Sequence, residues 1–265
     1  MIPGTWDEWA PWLAERAREL KTAVVFSTRL PLPRAEPIGV AAGEPAPIAQ
    51  AVWALPLAGV LVGVMSAVVY ALAHRLGLPP WPAAALAMAA TLAATGCLHE
   101  DGLADTADGF GGGATREHKL DIMREPRIGT YGVCALALSI LLRAGVVANL
   151  ADAGLVAAAL IAAHGAARAT LPIVMFYVPP ARSDGLSFTA GRPDGAQAAA
   201  AAILGFLVLA LSLGLAHAAL AAVLLAIAAA LTARLSVQQI GGQTGDVLGA
   251  IEQVGEIVVL LVALG

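Results

Sequence analysis

An acidic cluster near the middle of the chain carries the clearest chemical signal. Four acidic residues fall within nine positions of the segment His99-Glu-Asp-Gly-Leu-Ala-Asp-Thr-Ala-Asp-Gly109, and no Lys or Arg occurs between positions 76 and 115. If this segment is helical, its three aspartates project within a sector of about 60°, with the glutamate beside it. Like charges at this spacing repel, so a divalent cation is the expected neutraliser, and oxygen ligands favour Mg²⁺ or Mn²⁺. The predicted metal ligands are Glu100, Asp101, Asp105 and Asp108. A solvated acidic helix end is the alternative.

Glycines and basic residues follow the acidic cluster. The run Phe110-Gly-Gly-Gly113 would let backbone N–H groups approach a phosphate, although a flexible turn is the alternative. Lys119, Arg124 and Arg127 lie within 30 residues of the acids. A metal ion that bridges phosphate oxygens and guanidinium groups that bind the remaining oxygens are the two halves of a diphosphate site. We therefore predict that these three basic residues bind a diphosphate substrate, unless they serve only to keep the segment in the cytoplasm.

Three charged residues elsewhere in the chain are also candidates for substrate binding. Arg29 follows the N-terminal helix and suits a phosphate or a lipid headgroup equally well. Arg168 lies inside a predicted membrane span, where an unpaired charge costs several kcal/mol, so it must meet a carboxylate or the substrate. Asp246 opens the last predicted helix after Gly241-Gly-Gln-Thr-Gly245. A helix N-terminus beside a glycine-rich turn suits an anion or a metal-bound phosphate.

The composition indicates helices in a membrane. Of the 265 residues, 59% are hydrophobic and 13% are charged, and the mean hydropathy is +0.79; this charge fraction is about half that of a soluble domain. A hydrocarbon core about 30 Å thick needs roughly 20 apolar residues in a helix. We predict an all-α polytopic integral membrane protein with seven transmembrane helices, or six if Glu252 and Glu256 keep the last run out of the membrane. The predicted spans are 51–73, 81–98, 129–150, 155–178, two within 196–233 joined by a turn near 214–217, and 245–265.

The distribution of charge predicts the orientation. Twelve Lys and Arg residues fall on the N-terminal side of the seven spans and one, Arg75, on the other side. The N-terminus and the acidic cluster are therefore predicted to be cytoplasmic, in a bacterial inner membrane. Residues 5–24 predict an amphipathic helix on the lipid surface, with an arm packed on the protein as the alternative. The net charge of −4 offers no basic surface for nucleic acid. We predict one membrane-embedded catalytic domain, 1–265, with 99–128 as its cytoplasmic catalytic loop.

Taken together, these motifs resemble the cobalamin-5′-phosphate synthase family, also called adenosylcobinamide-GDP ribazoletransferase. The resemblance covers nearly the whole chain, and the acidic segment joined to the Arg-Ile-Gly-Thr-Tyr-Gly segment is its most specific part. Glu125-Pro126 departs from the more usual Asp-Ser-like pair of the family. The landmarks are Phe26-Ser-Thr-Arg-Leu-Pro-Leu-Pro33, the acidic segment, Met123-Arg-Glu-Pro-Arg-Ile-Gly-Thr-Tyr-Gly132, Arg168 with Pro172, and Gly241-Gly-Gln-Thr-Gly-Asp246.

The resemblance implies an activity and roles for the site residues. The implied reaction is Mg²⁺-dependent transfer of adenosylcobinamide phosphate from adenosylcobinamide-GDP to α-ribazole or α-ribazole 5′-phosphate, with release of GMP, in the last assembly step of cobalamin biosynthesis. Asp101, Asp105 and Asp108 are the implied catalytic residues, and Asp108 either ligates the metal or accepts the proton of the attacking hydroxyl. Arg124 and Arg127 would grip the diphosphate. Further expected partners are membrane lipid, a second copy of the chain, and other corrin-assembly enzymes.

Two other functions stay open. An ion-coupled transporter would also carry acids and arginines inside its spans, but no internal repeat relates the two halves of this sequence. A CDP-alcohol phosphotransferase also uses aspartates at helical spacing, and its signature begins like Asp101-Gly-Leu-Ala-Asp-Thr106. Here Asp105 replaces an arginine of that signature, and the second element expected further along the chain, Gly-x-x-x-Asp-x-x-x-Asp, is missing.

Overall fold

Helices form every regular element of the described structure. The computed structural model describes residues 6–32 and 48–265, where the β-type pairing consists of one isolated bridge between Pro180 and Gln243. The all-α prediction is confirmed. Residue 5 of the predicted N-terminal helix and Arg34, one of the twelve Lys and Arg residues predicted to be cytoplasmic, lie outside the described residues. A turn of 3₁₀ helix, Val52–Ala54, joins α2 to α3. The helices are Trp6–Ser27 (α1), Ile48–Ala51 (α2), Leu55–Arg75 (α3), Pro80–Thr95 (α4), Leu98–Gly112 (α5), Arg116–Ile122 (α6), Thr130–Leu150 (α7), Ala153–Tyr177 (α8), Gly185–Ala190 (α9), Gly195–Ile240 (α10) and Gly245–Leu264 (α11).

Several of these helices are built to cross a membrane. Five are long and apolar enough within the described ranges, or six if the bent pair α4 and α5 counts as one. Large side chains on their outer faces are exposed, among them Leu141 at 59%, Leu211 at 87% and Leu215 at 74%. An apolar surface of this extent is stable only against lipid or a partner. The chain is therefore a multi-pass membrane protein, as predicted.

The longest helix folds back on itself. At 46 residues, α10 would be about 69 Å long if straight, roughly twice the thickness of a hydrocarbon core. Gly214 breaks it, with φ of 77° and ψ of 164°. Residues on both sides of this break, among them Gly205 and Leu225, line one small cavity, so 195–213 and 215–240 form a helical hairpin. The predicted turn near 214–217 is confirmed, and the exact number of membrane crossings stays a prediction.

The predicted span at 81–98 does not form one straight helix, because the chain bends sharply near its end. Helix α4 ends at Thr95, and α5 starts three residues later at an angle of 90° to it. The two intervening residues, Gly96 and Cys97, both have left-handed backbone angles, with φ of 64° and 59°. Gly96 is also covered by Arg29, since an added Cβ would lie 2.5 Å from the Arg29 Nε atom. The segment predicted as a catalytic loop, 99–128, therefore begins as a helix that carries all four acidic residues.

Helix α8 is the centre of the bundle, in contact with α3, α10 and α11. Two glycines one turn apart on α3 allow close contact with it. An added Cβ at Gly59 would overlap the His164 carbonyl oxygen, and one at Gly63 would lie 2.7 Å from the Leu160 oxygen. Small residues at this spacing let helix backbones approach each other in membranes, where van der Waals contact drives association.

Helix α1 packs on this bundle by one edge. Glu19 is 2% exposed, and its carboxylate accepts a 2.6 Å hydrogen bond from Trp53 Nε1 and lies 2.9 Å from Arg16. Burial raises the pKa of Glu19, partly opposed by the Trp53 hydrogen bond and the Arg16 charge. On the apolar stripe, Val24 is buried but Leu13 is 54% exposed. The outer part of the stripe thus remains free for lipid, and the surface location of α1 stays a prediction.

We expect Gly59→Ala to separate α3 from α8, because the added methyl meets the backbone of α8 and no rotamer change can move it away. The expected loss is roughly 1–3 kcal/mol of stability, typical of overpacking. The measurement is the midpoint of thermal aggregation of detergent-purified protein. Gly145→Ala is the matched control, since its Cβ would meet nothing nearer than Trp81 at 3.8 Å. Equal midpoints for the two variants would contradict this account of the packing.

Candidate active site

A cleft of about 210 Å³ opens where α5, the start of α11 and the segment 179–191 meet. Asp101, Asp246 and Arg182 line its polar side. Asp101 is exposed, whereas Asp105 and Asp246 are half-buried. Asp105 lies close enough to Asp101, Asp246 and Arg182 for their charges to act on it. Three carboxylates and a guanidinium group from separate parts of the chain therefore share one site.

Glycine residues allow α5 and α11 to approach closely enough to bring these side chains together. Helices α5 and α11 are antiparallel and nearly touch at Gly102, where an added Cβ would lie 2.7 Å from the carbonyl oxygen of Asp246 and 3.0 Å from its Cα. Gly249 makes a similar approach to the His99 oxygen, at 3.1 Å. Any side chain at Gly102 would move the start of α11 away from the acidic face of α5. The glycine next to Asp101 is therefore a packing requirement of the site.

The glycine-rich turn before α11 packs against the segment that carries Arg182, a further residue lining the cleft. Gly241 has φ of 80°, and a Cβ at Gly242 would lie 2.8 Å from the Ala181 nitrogen. Gln243 pairs with the segment after α8 through backbone bonds of 2.7 Å from the Ala181 nitrogen and 2.9 Å to the Pro179 oxygen. Arg116 donates to the carbonyl oxygens of Ala181 and Ile240 at 2.6 and 2.7 Å. These contacts fix the position of the next residue, Arg182.

Sequence reasoning missed Arg182 as a site residue. Its Nη2 atom lies 3.5 Å from Asp246 Oδ2, and its Nε lies 3.5 Å from Asp184 Oδ1. Its Nη1 is buried with no hydrogen-bond partner among the described residues. Asp184 in turn accepts bonds of 2.8 and 2.9 Å from Arg124 Nη2, so Arg124 reaches the cleft through this residue. Their neighbours in sequence, Pro179-Pro180 and Gly185, indicated only a turn.

Asp108 joins the acidic helix to the start of α7. Its Oδ2 accepts 2.7 Å from the Gly129 nitrogen and its Oδ1 accepts 2.9 Å from the Gly132 nitrogen. Added Cβ atoms at either glycine would collide with this carboxylate. The acidic segment and the Arg-Ile-Gly-Thr-Tyr-Gly segment are thus two halves of one contact. Because both oxygens are engaged and the residue is 8% exposed, we do not keep Asp108 among the proposed metal ligands or proton acceptors.

Glu100 faces away from the cleft, which corrects its prediction as a metal ligand. Its Oε1 accepts bonds of 3.1 Å from Arg143 and 3.1 Å from Gln253. Consecutive helical residues project about 100° apart, so Glu100 and Asp101 reach different surroundings. Glu100 belongs instead to a buried polar network beneath the cleft. The members of this network are His99, Glu100, Arg143, His164, Arg168, Glu252, Gln253 and Glu256.

Arg168 pairs with carboxylates inside the network. Its Nη1 lies 2.6 Å from Glu252 and 3.1 Å from Glu256, so the structure gives it the first of its two predicted partners, a carboxylate. His164, Glu252 and Glu256 have ligand atoms within 4.8 Å of one another, as metal ligands do. The guanidinium of Arg168 already lies among them and supplies the positive charge. This group is therefore an ion-pair cluster.

The other predicted binding residues lie at the edges. Lys119 donates to the Gln239 side chain, while Arg127 is exposed, with its side chain 85% accessible, and lies 3.8 Å from Glu125. The backbone nitrogen of Arg29 donates to the backbone oxygen of Ala94 at 2.7 Å. The exposed side chain of Arg29 lies over the bend between α4 and α5. Their roles in substrate binding stay predictions.

Fold and site together define a polytopic membrane protein with a cleft whose polar side is formed by two aspartates and one arginine. The family model for cobalamin-5-phosphate synthase matches residues 19–264 of this chain. The chain belongs to this family, so it is a transferase of cobalamin biosynthesis.

Proteins with similar sequences match this chain over nearly its full length. An adenosylcobinamide-GDP ribazoletransferase of Bradyrhizobium diazoefficiens is 54% identical over 263 residues, which are 99% of this chain and 97% of that one. Proteins of the same name from Mesorhizobium japonicum and Ralstonia nicotianae are 52% and 40% identical, over 92% and 95% of this chain and 92% and 96% of their own length. No solved structure gives a significant match.

We expect Arg143→Ala to destabilise the protein strongly. Arg143 is 2% exposed and pairs with Glu100 at 3.1 Å and Glu256 at 2.8 Å. Its loss leaves the buried Glu100 without its counter-ion and removes one of the two arginines beside Glu256, at a cost of about 3–5 kcal/mol. Thermal midpoint and the yield of monodisperse protein in detergent are the measurements. Arg75→Ala, at an exposed position, should change either by little. If Arg143→Ala matches the wild type in both, the network is not what holds α5, α7 and α11 together.

Proposed function

We propose that this protein transfers adenosylcobinamide phosphate from adenosylcobinamide-GDP to α-ribazole or its 5′-phosphate, with release of GMP. Family membership supports the reaction class, and the relatives carry this activity in their names. The observation that carries the proposal is the cleft lined by Asp101, Asp246 and Arg182, with Asp105 one helical turn along α5 from Asp101. Such a cleft suits a metal-bound diphosphate, whereas the transporter and CDP-alcohol alternatives find no support in the comparisons.

Mg²⁺ is the proposed cofactor, held by Asp101, Asp105 and Asp246. Carboxylate oxygens from two helices are the hard ligands that this ion prefers, and the carboxylates outnumber the one guanidinium group beside them. When bound, the ion would neutralise charge that develops on the departing phosphate. This set replaces Glu100 and Asp108 of the sequence-based prediction with Asp246.

Arg182 is proposed to bind the diphosphate directly. Its buried Nη1 atom has no partner among the described residues, and leaving such a donor unsatisfied is unfavourable. A phosphate oxygen in the cleft would supply the missing acceptor, and guanidinium groups bind phosphate with paired hydrogen bonds. Arg124 would stabilise the same group through Asp184, which it shares with Arg182.

The proposed chemistry is a single displacement at phosphorus. A ribose hydroxyl of the acceptor attacks the phosphorus attached to the cobinamide arm, the bond from that phosphorus to the GMP oxygen breaks, and GMP leaves. The hydroxyl proton passes to a carboxylate oxygen of Asp101 or Asp105. The protein contributes mainly orientation and electrostatic stabilisation, as in other phosphoryl transfers.

The bacterial inner membrane is the proposed location, with the N-terminus and cleft on the cytoplasmic side. Support comes from the predicted charge asymmetry, since Lys and Arg are retained in the cytoplasm. Arg182, which belongs to the side rich in basic residues, lines the cleft, and Arg124 of the same side pairs with Asp184 two residues further along the chain. The substrates proposed here are cytoplasmic nucleotides, which agrees with that orientation.

We expect Asp101→Asn and Asp246→Asn each to lower GMP release roughly 100-fold or more, because each removes a charged ligand of the metal ion that would stabilise the reacting phosphate. Both should also raise the Mg²⁺ concentration needed for half-maximal rate, and EDTA should stop the wild type until Mg²⁺ is restored. Asp152→Asn is the control, since Asp152 caps α8 far from the cleft and Asn caps equally well. Wild-type turnover in EDTA, or full activity of Asp246→Asn, would refute the metal site.

We expect Arg182→Gln to lower kcat/KM for the donor roughly 10- to 100-fold, the loss typical of a hydrogen bond between charged groups. The cause would be the missing contact with the diphosphate, so an Arg182→Lys variant should recover part of the rate. Arg192→Gln removes a charge from an exposed position nearby, where the side chain donates to the Phe176 oxygen, and should leave the rate near normal. An unaltered kcat/KM for Arg182→Gln would remove this residue from the site.

A further inference from the structure

The inner part of the cleft differs sharply from its mouth. The carboxylates and Arg182 come from α5, α11 and the segment after α8, whereas α1, α2, α3 and α8 contribute side chains without polar groups. Leu55 is 4% exposed, and Leu171 and Met175 are each 5% exposed. The apolar residues of this inner part are Phe26, Ile48, Val52, Leu55, Leu171 and Met175.

Polar residues that also line the cleft are already occupied. Ser187 donates its hydroxyl to Gln243 Oε1 at 2.6 Å. The His99 Nδ1 atom lies 3.3 Å from Arg168 Nη2 and belongs to the buried network. The Ser187 proton and the His99 Nδ1 atom are therefore engaged within the protein, and few polar groups remain for a ligand in the inner part. A base with several hydrogen-bonding groups, such as guanine, would lose more contacts with water than these residues could replace.

The size of the cleft limits it to one part of a substrate. Sites that enclose a drug-sized ligand usually measure about 300–1,000 Å³, and this cleft measures about 210 Å³. A corrin ring with its amide side chains exceeds that range, so it must lie outside. A single flat ring system fits the volume, and Phe26 and Met175 offer it aromatic and thioether contacts.

We propose that the inner part of the cleft binds the dimethylbenzimidazole base of the acceptor nucleoside. This base has two methyl groups, no N–H donor once it is joined to ribose, and a single ring-nitrogen acceptor, so its burial among aliphatic side chains loses little hydrogen bonding. The ribose then lies at the mouth, where its hydroxyl meets Asp101 and Asp105. The inference rests on the function proposed above and adds where the acceptor binds and why guanine does not take its place.

Met175→Gln tests the assignment, because it adds hydrogen-bonding groups with little change in volume. We expect the KM for α-ribazole to rise about 10-fold or more, while the KM for adenosylcobinamide-GDP changes less than about threefold. The same variant should discriminate less between α-ribazole and the α-riboside of adenine. Met88→Gln is the matched control, since Met88 is also 5% exposed but belongs to the core cluster that includes Tyr70.

Each outcome decides between the proposals. A rise in the donor KM alone would show that the inner cleft binds the donor and would overturn the inference, as would no change in either KM. If wild-type protein releases no GMP from the donor, the proposed function itself fails. Should Met175→Gln not fold, Val52→Thr adds a hydroxyl at nearly constant volume at a position 1% exposed, and the same shift in acceptor KM is expected of it.

Discussion

The contact between α5 and α11 is the constraint on which the site depends. Gly102 and Gly249 let the two backbones meet, and this contact positions two different groups of side chains. Toward the start of α11 it brings Asp246 and Asp101 together in an accessible cleft. One residue back along α5, Glu100 turns the other way into the buried network. The acidic segment therefore contributes both to the cleft and to the packing, and Gly102 lies between these two contributions.

The buried network separates Glu100 from Asp101, the acid of α5 that lines the cleft. Two arginines, Arg143 and Arg168, lie among Glu100, Glu252 and Glu256. In a low-dielectric interior these charges are tolerated only together, since removal of one partner leaves another buried and unpaired. Such pairs add little net stability compared with apolar packing, but they fix which helices meet and in which register. Here they join α5, α7, α8 and α11 and leave Asp101 as the acid that faces the cleft.

Much of the fold was predictable from the sequence because long apolar runs have few alternatives in a membrane. The turn at Gly214 and the helices α7, α8, α10 and α11 appear where apolar runs predicted them, whereas the short helix α9 was not predicted. The bend at Gly96 was not predictable, since it lies inside an apolar run and depends on left-handed backbone angles at two residues.

The candidate site shows the same limit more sharply. Helical spacing predicted a common direction for Asp101, Asp105 and Asp108, yet it could not say that Asp108 would meet two backbone N–H groups of α7. Arg182 was missed because Asp246, the site residue with which it pairs, lies more than sixty residues away in sequence. Spacing along one helix predicts which side chains share a face, while the partner of that face is a property of the whole bundle.

The order of the helices along the chain adds a consequence for synthesis. Both carboxylates that pair with Arg168 belong to α11, which is synthesised after α8. Until then α8 holds a cation in the bilayer without its counter-ions, a state that is costly for any isolated helix. Completion of the charged interior around Arg168 is thus tied to insertion of α11 beside α8.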